Sequence, residues 1–215
     1  MKKPRPLSAT LASVAGNRRL GARSIALSAS SPDSPKPSIT TLPSALPPSF
    51  HLLAKPTGAV CNLACDYCFF LGKEGLYPRA TSRMTDETLE QYIRQLLESH
   101  RTPEVTIAWQ GGEPTLMGLQ FFRRAVELGK QYARPGQTVL HTIQTNGSTI
   151  DGDWARFFAD NGFLVGISID GPRELHDAYR HDKAGRPAFD KVMAGLHALR
   201  EAEVDGNSLT TVNAA

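Results

Sequence analysis

Cys61-x-x-x-Cys65-x-x-Cys68 contains every cysteine of the 215-residue chain. Thiolates are soft anionic ligands that suit iron and zinc. Three of them converging from one loop can hold three irons of a cubane [4Fe–4S] cluster and leave the fourth iron without a protein ligand. Four-cysteine clusters are coordinatively closed and suit electron transfer. An open iron suits chemistry on a bound cofactor. Other readings remain open at this point. Cys65-x-x-Cys68 alone would make a thioredoxin-like redox pair, against which the additional Cys61 argues. The three cysteines with His51, His100 or His141 would make a zinc site. They could also be ordinary thiols. An odd number of cysteines within eight residues is no disulfide framework and suits a reducing cytoplasm.

Further polar groups stand at regular intervals downstream. Trp109-Gln110-Gly111-Gly112-Glu113-Pro114-Thr115 combines two glycines, which let backbone approach a ligand closely, with a carboxylate that can satisfy an ammonium group. Taken alone it is a turn with an exposed carboxylate. Gln144-Thr145-Asn146-Gly147 carries a strong Asn-Gly turn signal. Ser168-Ile169-Asp170-Gly171-Pro172 offers the Ser168 hydroxyl, and His176-Asp177-Ala178-Tyr179-Arg180 ends in a planar guanidinium fork suited to a carboxylate. In isolation, a serine and an arginine of this kind are structural or solvated.

The elements that must position these groups are legible in the hydrophobic pattern. Phe50–Lys55 is a short apolar strand that leads into the cysteine loop. Thr85 can cap a helix, with Asp86 and Glu87 in its first turn. Leu89, Tyr92, Ile93, Leu96 and Leu97 then form one apolar face. Strands are predicted at Val105–Trp109, Val139–Gln144, Phe163–Ile169 and, beginning a fifth, Ser208–Val212. Phe121, Phe122, Ala125, Val126 and Leu128 mark a helix stopped by Pro135-Gly136. Trp154, Phe157 and Phe158 mark another, ending at Asn161-Gly162. Val192, Met193, Leu196 and Leu199 line the last. Repeated β/α units make parallel sheets that curl into full or partial barrels. Functional residues then belong on the loops after the carboxyl ends of the strands, where the groups named above fall.

Composition narrows the function classes. Residues 1–49 hold seven Lys/Arg against one Asp, eight of the fifteen prolines and ten serines. Such a segment cannot bury enough surface to offset its ordering entropy and reads as a disordered basic tail. Arg18-Arg19 and the Arg/Ser-rich composition are faintly similar to export or transit signals, without a convincing hydrophobic region or cleavage site. The whole chain carries +3, so the remainder is near −3 and lacks the basic surface expected for nucleic acid. No apolar run approaches the length of a membrane span. The organisation expected is a tail over 1–49 and a β/α core over 50–215.

Residues 50–213 resemble the anaerobic sulfatase-maturating enzymes of the radical S-adenosylmethionine (SAM)/SPASM group. The carrying segments are Ala54–Gly58, Cys61–Phe70, Trp109–Leu116, Gln144–Gly147, Ser168–Pro172 and His176–Arg180, in family order and spacing. The resemblance implies an α/β fold, a radical SAM barrel that is partial here and ends after about the fifth strand. It implies that Cys61, Cys65 and Cys68 ligate a [4Fe–4S] cluster, and that Tyr67, Gly112, Glu113, Ser168 and Arg180 contact SAM. The polar edge of Asn146 would face the SAM ribose or the substrate, and Gln110 would lie near the peptide substrate. The implied reaction cleaves SAM by one-electron reduction to a 5′-deoxyadenosyl radical. That radical takes a Cβ hydrogen from a cysteine or serine of an unfolded sulfatase, and loss of a second electron and a proton leads to Cα-formylglycine. Flavodoxin or ferredoxin is the implied reductant, and the cytoplasm the implied compartment. The family continues into a SPASM region with further cysteines and an acidic residue proposed as base, and neither has a counterpart here. SAM binding and cleavage are therefore better supported than complete maturation. Phe70 stands where tyrosine is common. Two other readings are a maturase of a small ribosomal peptide and an inactive remnant that binds iron–sulfur or another metal.

Overall fold

The computed structural model describes residues 49–76 and 83–213. All of the expected tail but Ser49 lies outside the described residues. Five strands run parallel and in sequence order: β1 (Leu53–Ala54), β2 (Glu104–Trp109), β3 (Thr138–Thr145), β4 (Leu164–Ser168) and β5 (Gly206–Leu209). Between them lie α1 (Asp86–Ser99), α2 (Leu119–Tyr132), α3 (Gly152–Asp160), α4 (Arg173–Tyr179) and α5 (Phe189–Glu201).

The alternation along β2 explains which face the helices cover. Val105, Ile107 and Trp109 are buried, whereas Thr106 and Ala108 between them are only half-buried. Leu89, Ile93, Leu96 and Leu97 of α1 and Phe121, Phe122, Ala125 and Leu128 of α2 join the buried set in one hydrophobic core. Each large side chain buried there stabilises the fold by about 1.5–3 kcal/mol. The opposite face carries Leu53, Leu140, Leu164 and Leu209, all exposed among the described residues. Crossovers between parallel strands are right-handed as a rule, and in unbroken sequence order they bring the connecting helices to one side of the sheet. A doubly wound sheet reverses its order and is covered on both faces. The observed arrangement is a partial wall of parallel β/α units, as expected.

Helix starts follow local chemistry where the sequence supplies it. Thr85 Oγ1 accepts from the Thr88 amide at 3.2 Å, and Asp151 Oδ1 accepts from the Asp153 and Trp154 amides at 3.0 Å. Helix α5 has no such cap of its own. Asp177, on α4, accepts from the Ala188 and Phe189 amides instead.

Three elements differ from the sequence reading. Only Leu53–Ala54 of the predicted first strand pairs with β2. Phe50 is drawn away by His100, whose ring lies 4.4 Å from its own and whose Nε2 lies 2.9 Å from its carbonyl. The fifth strand begins two residues early because Gly206 pairs with Val165 directly after the turn at Glu203, where φ is +54°. The His176–Arg180 segment is mostly the helix α4, too short to show a periodic pattern.

Candidate active site

The cysteine loop leaves the carboxyl end of β1 and is fastened on two sides. On one side, the Gly112 amide donates to the Gly58 carbonyl and the Glu113 amide to the Val60 carbonyl, both at 2.9 Å. A Cβ on Gly112 would lie 2.2 Å from the Val60 oxygen and 2.5 Å from the Ala59 oxygen. The backbone that this glycine admits is therefore the cysteine loop itself. On the other side, the Ala64 and Asp66 amides donate to the His181 and Tyr179 carbonyls at 2.8 and 3.0 Å. The last residue of α4 and the chain just after it thus hold the segment between Cys61 and Cys68.

Glu113 points inward. Its side chain is 0% exposed. Oε1 accepts from the Thr115 amide (3.0 Å), Thr115 Oγ1 (2.6 Å) and Thr145 Oγ1 (2.8 Å), and Oε2 accepts from the Asn146 amide (2.7 Å). Burial pushes its carboxyl above the usual carboxylate range, against the opposing pull of these donors. The carboxylate clamps the loop after β2 to the loop after β3, whereas the motif taken alone would be a turn with an exposed carboxylate.

Asn146 carries the clamp to the cysteines. Its Nδ2 donates to Asn62 Oδ1 at 2.9 Å and stands 3.6 Å from Cys61 Sγ. Its Oδ1 accepts from Ser148 N and Ser148 Oγ at 2.9 and 2.7 Å. The Leu63 amide reaches the same sulfur at 3.4 Å.

Arg180 and Tyr67 meet on Asp170. Arg180 Nε and Nη2 donate to the Asp170 carboxylate at 2.7 and 3.1 Å, Tyr67 Oη donates to Oδ2, and the Thr211 amide donates to Oδ1 at 2.9 Å. The Arg180 guanidinium lies 5.5 Å from the centre of the Tyr67 ring, within cation–π range. Both ion-pair partners are buried, so the fork expected to face a carboxylate ligand already holds one of the protein's own. Burial opposes ionisation of Asp170, but the hydrogen bonds from Arg180, Tyr67 and Thr211 hold its carboxyl below the usual value. Burial, followed by the bond to Asp170, raises the Tyr67 phenol.

Ser168, Gln110 and Phe70 complete the residues named from the sequence. Ser168 accepts from Gln144 Nε2 at 3.1 Å. Gln110 is half-buried just beyond β2, its amide bonded to the Ala54 carbonyl at 2.8 Å. Phe70 is half-buried, with Lys55 Nζ 5.0 Å over its ring.

Sequence reasoning passed over Asp170, Asn62, Thr145 and Ser148 as actors. Asp170 sits in a motif, at a strand end beside a glycine. That position was the available signal for it, while Asn62 and Ser148 carried none.

The thiols bear on what the loop can hold. Burial pushes Cys61 up to about 11, opposed by the Leu63 amide and reinforced by Glu113 and Cys65. Burial also raises Cys65, against the lowering effect of Arg180. Such thiols become thiolates only beside a strong positive centre, which the irons of a cluster provide. The N–H groups directed at Cys61 Sγ match a metal-bound thiolate, so the donor set fits a three-cysteine cluster. The histidines named for a zinc site are engaged elsewhere or exposed. His100 binds the Leu96 and Phe50 carbonyls, His141 accepts from Trp109 within the core, and His51 is exposed. Among the described residues, no three His, Cys, Asp or Glu side chains are gathered to share one metal ion.

A parallel sheet in sequence order with a three-cysteine loop at its carboxyl end defines a class, and the match to known proteins agrees. The chain belongs to the radical SAM superfamily, whose family model matches residues 56–214. Within that superfamily it is similar to anaerobic sulfatase-maturating enzymes. It is 46% identical over 164 residues to the serine-type enzyme of Bacteroides thetaiotaomicron, covering 76% of this chain and 39% of the relative. It is 40% identical over 166 residues to the cysteine-type enzyme of Clostridium novyi, covering 77% and 44%. A solved structure described as native anSMEcpe with bound AdoMet and Cp18Cys peptide superimposes with a TM-score of 0.68. That match has 38% identity over 74% of this chain and 42% of the other. The chain thus spans about two fifths of the length of these relatives. Among the described residues no helix is long and apolar enough to cross a membrane.

Proposed function

We propose that this chain carries the cluster- and SAM-binding part of an enzyme that oxidises a cysteine or serine of an unfolded sulfatase to Cα-formylglycine. One observation carries the reading. The loops after β1, β2 and β3 are joined at the carboxyl end of the sheet through Gly112, Glu113 and Asn146, and the joint ends on Cys61. In this reading Cys61, Cys65 and Cys68 hold a [4Fe–4S] cluster. When bound, cluster and SAM together supply a radical able to take a hydrogen atom from the target side chain.

The chain's own residues bind and orient. Tyr67, Ser168 and Arg180 offer SAM a ring, a hydroxyl and a guanidinium edge. Gly112, Glu113 and Asn146 shape the wall against which it lies. Gln110 faces the peptide. Asp170 holds Arg180 and Tyr67 in one pose, so that little ordering remains when the ligand arrives. A low-potential one-electron donor such as flavodoxin or ferredoxin, and a reducing cytoplasmic setting for three free thiols, complete the proposal. The names of the similar enzymes, which act on serine-type or cysteine-type sulfatases, support the substrate class.

The test is anaerobic reconstitution with iron and sulfide, reduction with dithionite, and EPR spectroscopy with and without SAM. Incubation with a Cys-x-Pro-x-Arg or Ser-x-Pro-x-Arg peptide and mass spectrometry follows. A reduced-cluster signal that changes on SAM addition, with formation of 5′-deoxyadenosine, is the expected result. A loaded cluster whose signal ignores SAM would refute the reading.

A further inference from the structure

The surroundings of the Cys61 sulfur point to a residue that sets the electronic properties of the site. Two N–H groups address that sulfur, the Leu63 amide at 3.4 Å and the Asn146 side-chain amide at 3.6 Å. The second is the more informative, because it comes from a different loop and its orientation is forced. A backbone N–H can only donate, so the Asn146 atom 2.9 Å from the Ser148 amide must be Oδ1. Ser148 Oγ adds a contact to the same oxygen at 2.7 Å. The NH2 group is thereby turned to the other side, where Asn62 Oδ1 takes one hydrogen at 2.9 Å and Cys61 Sγ faces the other. The backbone of Asn146 is held in turn by Glu113 Oε2 at 2.7 Å. The side chain is buried, so its donor is not shared with bulk water.

We infer that Asn146 tunes the iron–sulfur cluster: its amide N–H, aimed by Ser148 and anchored by Glu113, stabilises negative charge on Cys61 Sγ and raises the cluster's reduction potential. The inference rests on the proposed function for its cluster, and deepens it by naming a residue that governs electron entry. Reduction adds one electron from the external donor, and part of that charge resides on the cysteine sulfurs. A donor hydrogen-bonded to sulfur stabilises the reduced form more than the oxidised one, as hydrogen bonds to cluster sulfurs do generally. Asn146 is thus a positioning and tuning residue for Cys61, in addition to any contact it makes with SAM.

The test is made without SAM, so that loss of a SAM contact cannot imitate the effect. The wild type, Asn146→Ala and Ser148→Ala are reconstituted anaerobically, assayed for iron and sulfide, and titrated potentiometrically with EPR detection. Asn146→Ala is expected to keep its iron and shift its midpoint to more negative potential. Ser148→Ala, which loosens only the aim of the amide, is expected to shift the same way by less. With 15N-labelled asparagine, the wild-type cluster should show a hyperfine coupling that disappears in Asn146→Ala. An iron-loaded Asn146→Ala with an unmoved midpoint overturns the inference and leaves the proposed function standing. If Asn146→Ala takes up no cluster, Ser148→Ala decides: a negative shift upholds the inference and an unchanged midpoint overturns it. A wild type that forms no cluster overturns both readings.

Discussion

Adding one methyl group at Gly112 tests how the cysteine loop is held. The new carbon would lie 2.2 Å from the Val60 carbonyl oxygen and 2.5 Å from that of Ala59. Reaching even 3.0 Å from the Val60 oxygen requires a separation of about 0.8 Å between two backbone segments, with no flexible side chain to absorb it. The hydrogen bond from the Glu113 amide to that same oxygen is 2.9 Å long. Lengthening it by about 0.8 Å takes it beyond hydrogen-bonding distance. The neighbouring bond from Gly112 to Gly58 shares the strain. Two lost backbone bonds cost roughly 1–3 kcal/mol, and the displacement of packed neighbours adds roughly 1–3 kcal/mol. The expected loss of about 2–6 kcal/mol is large against the roughly 5–15 kcal/mol stability of a typical domain. Gly72→Ala is the control, since a Cβ there meets nothing within 4 Å; it should stay within about 0.5 kcal/mol of wild type. Urea unfolding measures stability, and iron content after anaerobic reconstitution measures whether the cysteines still converge. Gly112→Ala should lose on both counts. If it unfolds and loads iron like Gly72→Ala, the backbone clamp does not position the cluster ligands.

Three further outcomes follow from individual groups. Burial, aided by Lys130, lowers His141 to about 4. A folded value below the unfolded one near 6.5 means that its stabilisation is present above pH 6.5 and is lost as pH falls toward 4. Roughly 2 kcal/mol should disappear between pH 7 and pH 5, and His141→Phe should remove that slope in urea titrations at the two pH values. Asp170→Asn leaves the buried Arg180 charge without its counter-ion and should cost about 3–5 kcal/mol. Because the folded Asp170 value is depressed, its contribution is present above about pH 4 and lost as pH falls further. The variant's acid unfolding should therefore lack that part of the wild-type fall. Replacing Cys61, Cys65 or Cys68 singly by alanine should abolish the reduced EPR signal after reconstitution, and retention of a full signal by any one variant would remove that cysteine from the ligand set.

The order of elements is legible in the sequence, because its causes are local. Leu89, Ile93, Leu96 and Leu97 repeat at helical spacing, Thr85 offers an oxygen to the first turn, and Pro135-Gly136 and Asn161-Gly162 stop the preceding helices. The three cysteines were legible for a similar reason, since eight residues suffice to place all of them. Ends that are set from outside the segment were not legible. The first strand is cut short by His100, fifty residues away from Phe50. Helix α5 starts where Asp177 accepts its first amides, eleven and twelve residues upstream.

The same division runs through the site. The residue types on this chain determined that thiols, a carboxylate, an amide and a guanidinium would gather after successive strands, because parallel β/α units bring those loops to one end. Only the tertiary structure decided what each group faces. Glu113 turns inward to four donors, Arg180 closes on Asp170 beneath Tyr67, and Asn146 aims its amide at Cys61. A buried polar group takes whichever partner the register of neighbouring strands sets within about 3 Å of it, since remaining unpaired costs it roughly 1–3 kcal/mol. For Glu113 with Thr145 and Asn146, and for Asn146 with Cys61, that register joins residues 32 to 85 positions apart, a distance at which spacing along the chain carries no information.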